Sequence, residues 1–464
     1  MSTPNTTTQV STQKQKHPKG LYVCGFTVAF ERFAFYGSKT LLLLFLAETV
    51  AKGGLGVGKA DAAVIAANLA AWTYLAPIIG GIIADRWIGP RMCVIIGSFI
   101  MAAGYALGYF ATSVGWVHAM IILISIGTGF FKGNLNSLLG ELYDKNDPRK
   151  DMAFSVQYSF VNVGAFFGPL LTGIFVTGLF AQKSGGQLVQ YGYREVFLLS
   201  AVLTLVSGIF FVLTMRHLGD AGKVPNKMLH GEQNEVAKNK STEPLTHEER
   251  NRVLVILILI FFTVIFWFAY NQAGYSIALY MKDFIDLKVG SFEIPVNWID
   301  AINGLMCIGL SPLMAIVWGK LAKSKRGDLS MAQKIGLGCI LLGVGFLFMV
   351  GAEMSRHGSD DSAIKASILW IIFFVVFQTL GEMCFSPIGS SVVSKLAPAK
   401  YLSLLMGSWT VGTFAANKLA GYVQGLVETM GRMQVFVAIP VILVVSALLM
   451  IACNKKLESM TKMD

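Results

Sequence analysis

The chain has 464 residues, of which 54% are hydrophobic and 14% are charged, and its formal net charge is +11 at neutral pH. A soluble domain carries about a quarter charged residues, so this composition excludes an ordinary soluble protein and predicts an integral membrane protein. We attribute the positive charge to cytoplasmic loops and expect no nucleic-acid partner. Six cysteines without paired spacing predict neither a disulfide framework nor a metal site.

Twelve segments are apolar and long enough to cross a bilayer as helices, for which roughly 20 residues are needed. The predicted spans are 20–48, 60–85, 91–112, 115–142, 153–180, 192–215, 251–282, 295–321, 332–353, 363–394, 400–428 and 432–453. The predicted domains are a tail (1–19), a six-helix bundle (20–216), a polar linker (217–250), a second six-helix bundle (251–455) and a tail (456–464). The predicted fold is therefore an all-α membrane protein built from two bundles.

Lysine and arginine predict the orientation, because cytoplasmic loops carry an excess of both. The two tails and the loops on the same side hold 25 of the 38, the opposite loops hold nine, and four lie within spans. Both termini are therefore predicted to be cytoplasmic, in a multi-pass protein of the plasma membrane, here a bacterial inner membrane. Two halves of six fit a transporter whose central site alternates between the two sides, and one chain holding both halves is expected to work as a monomer.

The first predicted helix carries Glu31, Arg32 and Lys39 at membrane depth. A charge at the bilayer centre costs from a few to more than ten kcal/mol, so such residues usually face a wet cavity. Arg32 shares one helix face with Tyr36, Lys39 and Val28, whereas Glu31 lies about 100° away and need not pair with it. The alternative is that Glu31 belongs to a structural ion pair.

The stretch "GGIIADRWIGPR" closes the second predicted helix and opens the third. Gly80 and Gly81 are expected to let neighbouring helices approach closely. Asp85, Arg86 and Arg91 are expected to pair at the cytoplasmic surface as a latch that opens and closes. The stretch resembles the corresponding signature of the major facilitator superfamily, and the alternative is a generic charged turn.

Polar side chains recur at comparable depth in later spans. They are Tyr74, Lys132, Asn134, Asn162, Asn271, Gln272, Asp300, Asn303, Glu382, Ser386, Trp409 and Asn417. A single amide or tyrosine more often joins helices to one another. Lys132 and Glu382 differ, because they are isolated opposite charges, one in each half, that can attract a zwitterion or each other.

Several of these stretches resemble the proton-dependent oligopeptide transporter family of the major facilitator superfamily. They are "ERFAFYG", "FKGN", "VNVGAFFGPLLTG", "LGEMCFSPIG", "APAKYLSLLMGSW" and "NKLAGY". The resemblance touches predicted helices 1, 2, 4, 5, 7, 8, 10 and 11, which is nearly the whole chain. It implies symport of di- and tripeptides with protons by alternating access, driven by the proton gradient and without a cofactor.

The resemblance also implies which residues form the substrate site. They are Arg32, Tyr36, Tyr74, Lys132, Asn162, Asn303, Glu382, Ser386 and Trp409. Arg32 and Lys132 would attract the peptide carboxylate, and Glu382 would meet the amino group. Asn162 and Asn303 would hydrogen-bond the peptide ends and backbone, while the aromatic residues would line side-chain pockets. A site that binds only the termini and the backbone amides accepts many peptides, because all peptides share these groups.

This sequence departs from the family pattern at two acidic positions. Val28 stands where the family usually has glutamate, and Asn271 stands where it usually has an acidic residue facing helix 1, here Lys39. Lys39 and Asn271 are therefore expected to contribute to gating, together with the charged residues of the predicted latch. Glu31 and Glu382 remain to couple protons.

A coupling hypothesis follows from these remaining charges. Lys132 is expected to pair with Glu382 in the empty site, and protonation of Glu382 or Glu31 would free a cation for the substrate. A carboxylate in a cavity of low dielectric constant is protonated more easily. Asp300 is a candidate replacement acid, with an outer-mouth surface charge as the equal alternative, and Lys418 is expected to reach toward the membrane interface.

Other functions remain open at this stage. With fewer acidic groups the cavity would be more positive, and it would accept a single amino acid, a peptide-like compound or an anion. A facilitator-type exporter is a further alternative. A membrane sensor would need a larger cytoplasmic domain. An enzyme is not expected, because no HExxH helix, suitable GxSxG stretch or paired aspartate motif is present.

Overall fold

The computed structural model describes residues 16–144, 147, 149–185, 187–225, 246–290, 292–324, 329–385, 393, 396–398 and 401–461. Ser386 and most of the predicted linker lie outside these residues. The predictions made for Ser386 and for the linker therefore stay predictions.

The first half contains six long helices close to the predicted spans. They are α1 (Lys19–Ala47), α2 (Lys59–Ile83), α3 (Pro90–Phe110), α4 (Val114–Glu141), α5 (Lys150–Ile174) and α6 (Tyr193–Thr214). Short π-helical turns, Ala84–Ile88 and Phe175–Leu179, extend α2 and α5. Between α5 and α6 the strands β1 (Gln182–Ser184) and β2 (Gln187–Gln190) form an antiparallel hairpin.

The second half is more interrupted than predicted. Its helices are α7 (His247–Tyr270), α8 (Ser276–Phe284), α9 (Trp298–Ala322), α10 (Met331–Ser355), α11 (Leu369–Phe385), α12 (Leu402–Ala420), α13 (Val423–Met430), α14 (Arg432–Ala452) and α15 (Asn454–Thr461). Its short strands are β3 (Ile285–Asp286), β4 (Lys288–Val289), β5 (Phe292–Glu293) and β6 (Ala366–Ser367). The strand β6 pairs in parallel with β3, so the predicted span 363–394 begins only at Leu369.

The predicted helix 251–282 is broken by a 3₁₀ turn, Asn271–Gly274. The Gln272 side chain donates to the carbonyl oxygens of Phe268 and Ala420, at 3.0 and 3.3 Å, and accepts from Ser276 at 2.8 Å. These bonds satisfy backbone groups near the break, which is how an interrupted helix is tolerated inside a membrane. The break places α8 as a separate element at one end of the second half.

Nine helical segments within the described residues are long and apolar enough to cross a membrane. The first helix is not among them, because it carries Glu31, Arg32 and Lys39 within its length. The prediction of a mostly helical, multi-pass membrane protein is therefore confirmed. That there are twelve spans, and that both termini lie on the cytoplasmic side of the membrane, remain predictions.

Helices pack mainly within each half, and a few contacts join the halves. In the first half α1 packs on α5 and α6, and α4 packs on α2 and α3. In the second half α10 packs on α11 and α14, and α7 packs on α12. The halves meet where α2 contacts α12 and where α5 contacts α9.

The helix α8 is fixed to the second half by a buried ion cluster. Tyr280 donates to Glu353 at 2.9 Å, and the same carboxylate pairs with Arg356 at 2.9 Å and Arg432 at 2.8 Å. Glu353 and Arg356 are 1% and 0% exposed. Buried charges persist when they are paired and hydrogen-bonded, so this cluster holds α8, α10 and α14 together at one end of the second half.

Gly80 and Gly81 differ in the structure, although close packing was expected of both. A methyl group at Gly80 would lie 2.0 Å from the carbonyl oxygen of Gly129 in α4, whereas one at Gly81 meets no described atom within 4 Å. The expectation is therefore wrong for Gly81, because adjacent residues point about 100° apart on a helix.

This difference predicts unequal losses of stability for two neighbouring substitutions. Gly80→Ala is expected to lower the free energy of unfolding by about 1–3 kcal/mol or more, because the clash is with backbone. Gly81→Ala is expected to change it by less than about 0.5 kcal/mol. Thermal unfolding of the purified variants, followed by tryptophan fluorescence, measures both. Equal destabilisation would contradict the close packing of α2 on α4 at Gly80.

Candidate functional site

Glu31 and Arg32 form a two-pronged ion pair within α1. The Arg32 Nε and Nη2 atoms donate to Glu31 Oε2 and Oε1 at 2.6 and 2.5 Å. The two residues are only 1% and 5% exposed. The expectation that they need not pair is corrected here, because both long side chains turn toward each other and each neutralises the other's buried charge.

The Arg32 guanidinium also lies against aromatic rings of its own helix. Its Cζ atom is 4.7 Å from the centre of the Phe35 ring and 5.7 Å from that of Tyr36. Arginine stacks on aromatic faces through its charge and its planar shape. The carboxylate of Glu31 and these rings together fix the direction of the cation.

Lys132 of α4 lies over an aromatic ring. Its Nζ atom is 4.5 Å from the centre of the Tyr74 ring in α2, a cation–π contact. It also interacts electrostatically with Arg32 and Glu31. The expected ion pair between Lys132 and Glu382 does not form between these two described residues, because the Lys132 ammonium lies over the Tyr74 ring instead.

Glu382 of α11 is held by hydrogen-bond donors of the second half. Its Oε2 atom lies 2.7 Å from the hydroxyl of Tyr270, which donates to it, and 3.2 Å from Nδ2 of Asn303. The Cys307 Sγ atom is 3.6 Å away. Asn303 also donates to Thr379 at 3.0 Å. The carboxylate is therefore positioned by three helices before any substrate arrives.

Sequence reasoning missed the supporting residues Tyr270, Gln378 and Thr379. The Gln378 Nε2 atom donates to the backbone carbonyl of Tyr270 at 2.9 Å and so fixes the end of α7. Gln378 and Thr379 stand four and three residues before Glu382, a spacing that places all three on one helix face. That spacing was the available signal, whereas the role of Tyr270 depends on how α7 packs on α11.

The ionisable groups of the two halves face one another. Tyr74 interacts electrostatically with Arg32 of its own half and with Glu382 of the other. Tyr158 of α5, which the sequence did not single out, hydrogen-bonds Asn162 and interacts with Glu382. Its side chain is 60% exposed although it lies beside these groups. Cations of the first half and a carboxylate of the second therefore both lie within electrostatic reach of Tyr74.

Trp409 lies on α12. It is partly buried and packs against a small apolar cluster that includes Ile256 and Leu405. Its expected place in a side-chain pocket stays a prediction.

Direct hydrogen bonds join the two halves at the ends of the helices that lie away from the N terminus. The described pairs include Thr40–Asp300 at 2.5 Å, Lys59–Asp283 at 2.5 Å, Lys282–Glu48 at 2.6 Å, Asn297–Pro169 at 2.8 Å, Trp298–Leu170 at 3.0 Å, and Lys418–Asn68. The halves are therefore closed at this end, here called the outer end. The expectation that Lys418 reaches toward the interface is wrong, because its ammonium donates to Asn68 of the other half.

The residues of the predicted latch lie at the opposite end. Asp85 and Arg86 are exposed in the π turn after α2. The Arg91 Nη2 atom donates to the carbonyl oxygens of Gly219 and Ala221, at 3.0 and 2.7 Å. Arg91 therefore ties α3 to the chain after α6 in this conformation.

Comparison with known proteins gives consistent matches. The chain matches the POT family over residues 91–230 and 223–442. It is 31% identical to the uncharacterized transporter YclF of Bacillus subtilis, over 92% of each chain. It is 27% identical to dipeptide and tripeptide permease A of Escherichia coli, over 100% of this chain and 98% of that one.

Solved structures agree with these sequence matches. A crystal structure of a mutant of the peptide transporter POT in complex with sulfate superposes with a TM-score of 0.84 and 28% identity, over 96% of each chain. The resemblance stated from the sequence motifs is thereby confirmed. So is the prediction that the chain is not an enzyme, because members of this family are transporters. The chain therefore belongs to the POT family of transporters.

Proposed function

We propose that this chain is a secondary active transporter that imports di- and tripeptides together with protons by alternating access. One observation supports the proposal: Arg32 of the first half and Glu382 of the second both interact electrostatically with Tyr74, and Lys132 lies over the ring of that tyrosine. Every short peptide has a carboxylate at one end and an ammonium at the other. Opposite charges held on the two bundles can bind the two ends of such a molecule.

The proposed proton step uses the pair that the structure contains. Both oxygens of the Glu31 carboxylate accept hydrogen bonds from the Arg32 guanidinium. A proton on Glu31 removes the negative charge, and the guanidinium is then free to bind the peptide carboxylate. Proton and peptide are coupled because Glu31 and the peptide compete for one cation. This route replaces the release of Lys132 from Glu382, since Lys132 rests on Tyr74 instead.

The peptide amino group is assigned to Glu382. Its Oε2 atom accepts from Tyr270 and Asn303, while an ionised carboxylate has about four acceptor sites. An ammonium can therefore be added without breaking the existing bonds. Val28 and Asn271 stand at two positions where the family usually has acidic residues. We therefore propose that the number of protons moved per peptide, or the range of substrates, differs from that of the family.

The remaining features belong to the same proposal. The distribution of Lys and Arg supports cytoplasmic termini and twelve spans in a bacterial inner membrane. The outer end, at which the halves are closed, would then face away from the cytoplasm. We propose that the single chain works as a monomer and needs no cofactor, with the proton gradient as its driving force.

Uptake of labelled di-alanine into proteoliposomes tests the proposal. A gradient with the acidic side outside is expected to drive accumulation of the peptide above equilibrium. Dissipating the gradient is expected to leave only equilibration. Transport that ignores the gradient would contradict proton symport, and an absence of peptide uptake and exchange would contradict the substrate class.

An alternative substrate class follows from the missing acidic groups. The site holds Arg32 and Lys132, while Val28 and Asn271 contribute no negative charge. Such a site would favour a single amino acid, a peptide-like compound or an anion. Because a ligand that binds the folded state raises its melting temperature, a panel of peptides, amino acids and anions separates these cases. Stabilisation by anions or amino acids but not by di-alanine would favour the alternative.

The direction of transport is tested separately. Cells that express an importer are expected to become more sensitive to a toxic dipeptide, and cells that express a facilitator-type exporter would be protected from it. The matched control is a strain that produces the Arg32→Gln variant at the same level.

A further inference from the structure

A recess of about 440 Å³ lies at the end of the first half that is opposite the outer end. Its walls come from the start of α3, the end of α6 and the 3₁₀ turn Met215–Leu218 with the residues that follow it. None of the described residues assigned to the candidate substrate site lines this recess. It is therefore a separate feature, and its lining divides into basic and apolar side chains.

The charged side chains of the recess are mostly basic. Among the described residues that line it, Arg91, Arg216 and Lys223 are the cations and Asp220 is the carboxylate. Lys223 pairs with Asp220 at 2.7 Å, and the Asp220 side chain is 96% exposed. Arg216 is exposed, and no ion pair joins it to another described residue. The recess therefore carries a net positive charge, which favours an anionic ligand.

Arg91 is the buried cation of this group, at 8% exposure. Its Nη2 atom donates to Gly219 and Ala221, whereas its buried Nε atom has no hydrogen-bond partner within the described part of the chain. The nearby Glu141 carboxylate accepts instead from the backbone N–H of Gly222, at 2.7 Å. Buried donors are nearly always hydrogen-bonded. A further acceptor is therefore expected beside the Arg91 guanidinium.

An exposed apolar stripe on α6 leads to the recess. Val206, Ile209 and Leu213 are 40%, 44% and 71% exposed, and Arg216 follows them in the turn after the helix. Spacings of three and four residues place side chains on one helix face. Leu213 belongs both to this stripe and to the lining of the recess. On a helix that crosses a membrane, such a stripe offers an acyl chain a surface that ends at the cations.

We propose that the recess binds the headgroup of an anionic phospholipid, with the phosphate against Arg91, Arg216 and Lys223 and an acyl chain along the exposed stripe of α6. Basic pockets between membrane helices at the cytoplasmic side bind acidic headgroups. The phosphate supplies the acceptor that Arg91 lacks. A free phosphate ion would leave the apolar stripe unused, so the stripe favours a lipid. The inference does not depend on the proposed substrate or on proton coupling.

The bound lipid is expected to hold the chain after α6 against α3. In addition to its side-chain bonds, Arg91 donates through its backbone N–H to the carbonyl oxygen of Gly222 at 3.1 Å. A phosphate that contacts both Arg91 and Lys223 joins the start of α3 to the same segment. These residues begin the predicted linker between the halves. Because the lipid binds the folded state, it is expected to raise the melting temperature of the protein.

Native mass spectrometry of the purified full chain tests the site. The delipidated protein is titrated with phosphatidylglycerol and, separately, with phosphatidylcholine that has the same acyl chains. One phosphatidylglycerol is expected to bind about tenfold more tightly than phosphatidylcholine, because the zwitterionic headgroup carries no net charge for the cations to attract. Equal binding of the two lipids would overturn the proposal.

Substitutions in the recess test which residues bind the headgroup. Arg216→Gln combined with Lys223→Gln is expected to weaken phosphatidylglycerol binding about 10- to 30-fold, because each basic side chain near an anionic membrane surface contributes about fivefold. The matched control Lys455→Gln/Lys456→Gln removes two exposed lysines of α15 and is expected to bind the lipid as the parent protein does. Asp220→Asn is expected to tighten binding about fivefold, an increase that a merely structural role would not produce.

Soluble anions separate a lipid site from a site for free phosphate. Inorganic phosphate and glycerol phosphate carry the charge of the headgroup but have no acyl chain to cover the α6 stripe. Neither is expected to displace bound phosphatidylglycerol. Displacement by inorganic phosphate would assign the recess to a free anion and would overturn the lipid.

The variants also decide the outcome if one of them is unstable. Unchanged phosphatidylglycerol binding in a folded Arg216→Gln/Lys223→Gln protein would overturn the proposal, and so would an equal loss in the α15 control. If the double variant does not fold, Asp220→Asn decides: tighter binding supports the site, and unchanged or weaker binding overturns it. Lipid binding is measured without transport, so a failure of peptide uptake would overturn the proposed function and leave this result intact.

Discussion

Replacing Glu31 with glutamine is expected to abolish proton-driven accumulation of peptide while preserving peptide exchange across the membrane. Glutamine keeps an acceptor oxygen for Arg32 but carries neither a charge nor a titratable proton. The guanidinium is then available to the peptide carboxylate at every pH, so binding no longer depends on a proton. Accumulation should fall to simple equilibration in proteoliposomes.

Two comparisons make this result interpretable. Arg32→Gln removes the cation itself and is expected to abolish both accumulation and exchange. Removing one partner of a buried ion pair costs about 3–5 kcal/mol, so each variant is first checked for folding by thermal unfolding. Undiminished accumulation by a folded Glu31→Gln protein would show that the proton acts elsewhere, and loss of exchange together with accumulation would show that Glu31 serves binding and not coupling.

Replacing Glu382 with glutamine is expected to weaken the binding of di-alanine by about 10- to 150-fold. A hydrogen bond to a charged group contributes roughly 1.5–3 kcal/mol, and each 1.4 kcal/mol is about tenfold in the dissociation constant. Calorimetric titration of the purified protein measures the change. Tyr270→Phe leaves the charge of Glu382 but removes the donor 2.7 Å from its Oε2 atom, so its effect is expected to be about tenfold or less.

The assignment of Glu382 to the amino group has its own control. N-acetylated di-alanine lacks the ammonium, so its weaker binding is expected to be the same in the parent protein and in Glu382→Gln. If the substitution weakens binding of the acetylated and free peptides equally, Glu382 acts on the shape of the site and not on the amino group.

The sequence predicted features that depend on local composition. Hydropathy located most helices within a few residues, because a span needs a continuous apolar run whatever its neighbours. The isolated charges Arg32, Lys132 and Glu382 were predicted as site residues because charges in a membrane are costly. In the structure Tyr74 interacts electrostatically with both Arg32 and Glu382, and Lys132 lies over its ring, while their shared role in binding stays a prediction.

Features that depend on packing were not predicted. The side-chain directions of Glu31 and Arg32 decide their pairing, and backbone periodicity alone had placed them apart. Tyr270 holds Glu382 only because the end of α7 meets α11. The break at Asn271–Gly274 depends on bonds from Gln272 to another helix. In each case the decisive contact comes from three-dimensional packing or rotamer choice.

Capped peptides give the most direct test of the claim that charges from both halves bind both ends of one substrate. Thermal stabilisation of the purified protein is compared for di-alanine, its N-acetylated form and its C-terminal amide at equal concentration. Only the peptide with two free ends is expected to stabilise the protein fully, and blocking either end should remove most of the effect. Equal stabilisation by all three peptides would contradict a site formed by Arg32 and Lys132 at one end and Glu382 at the other.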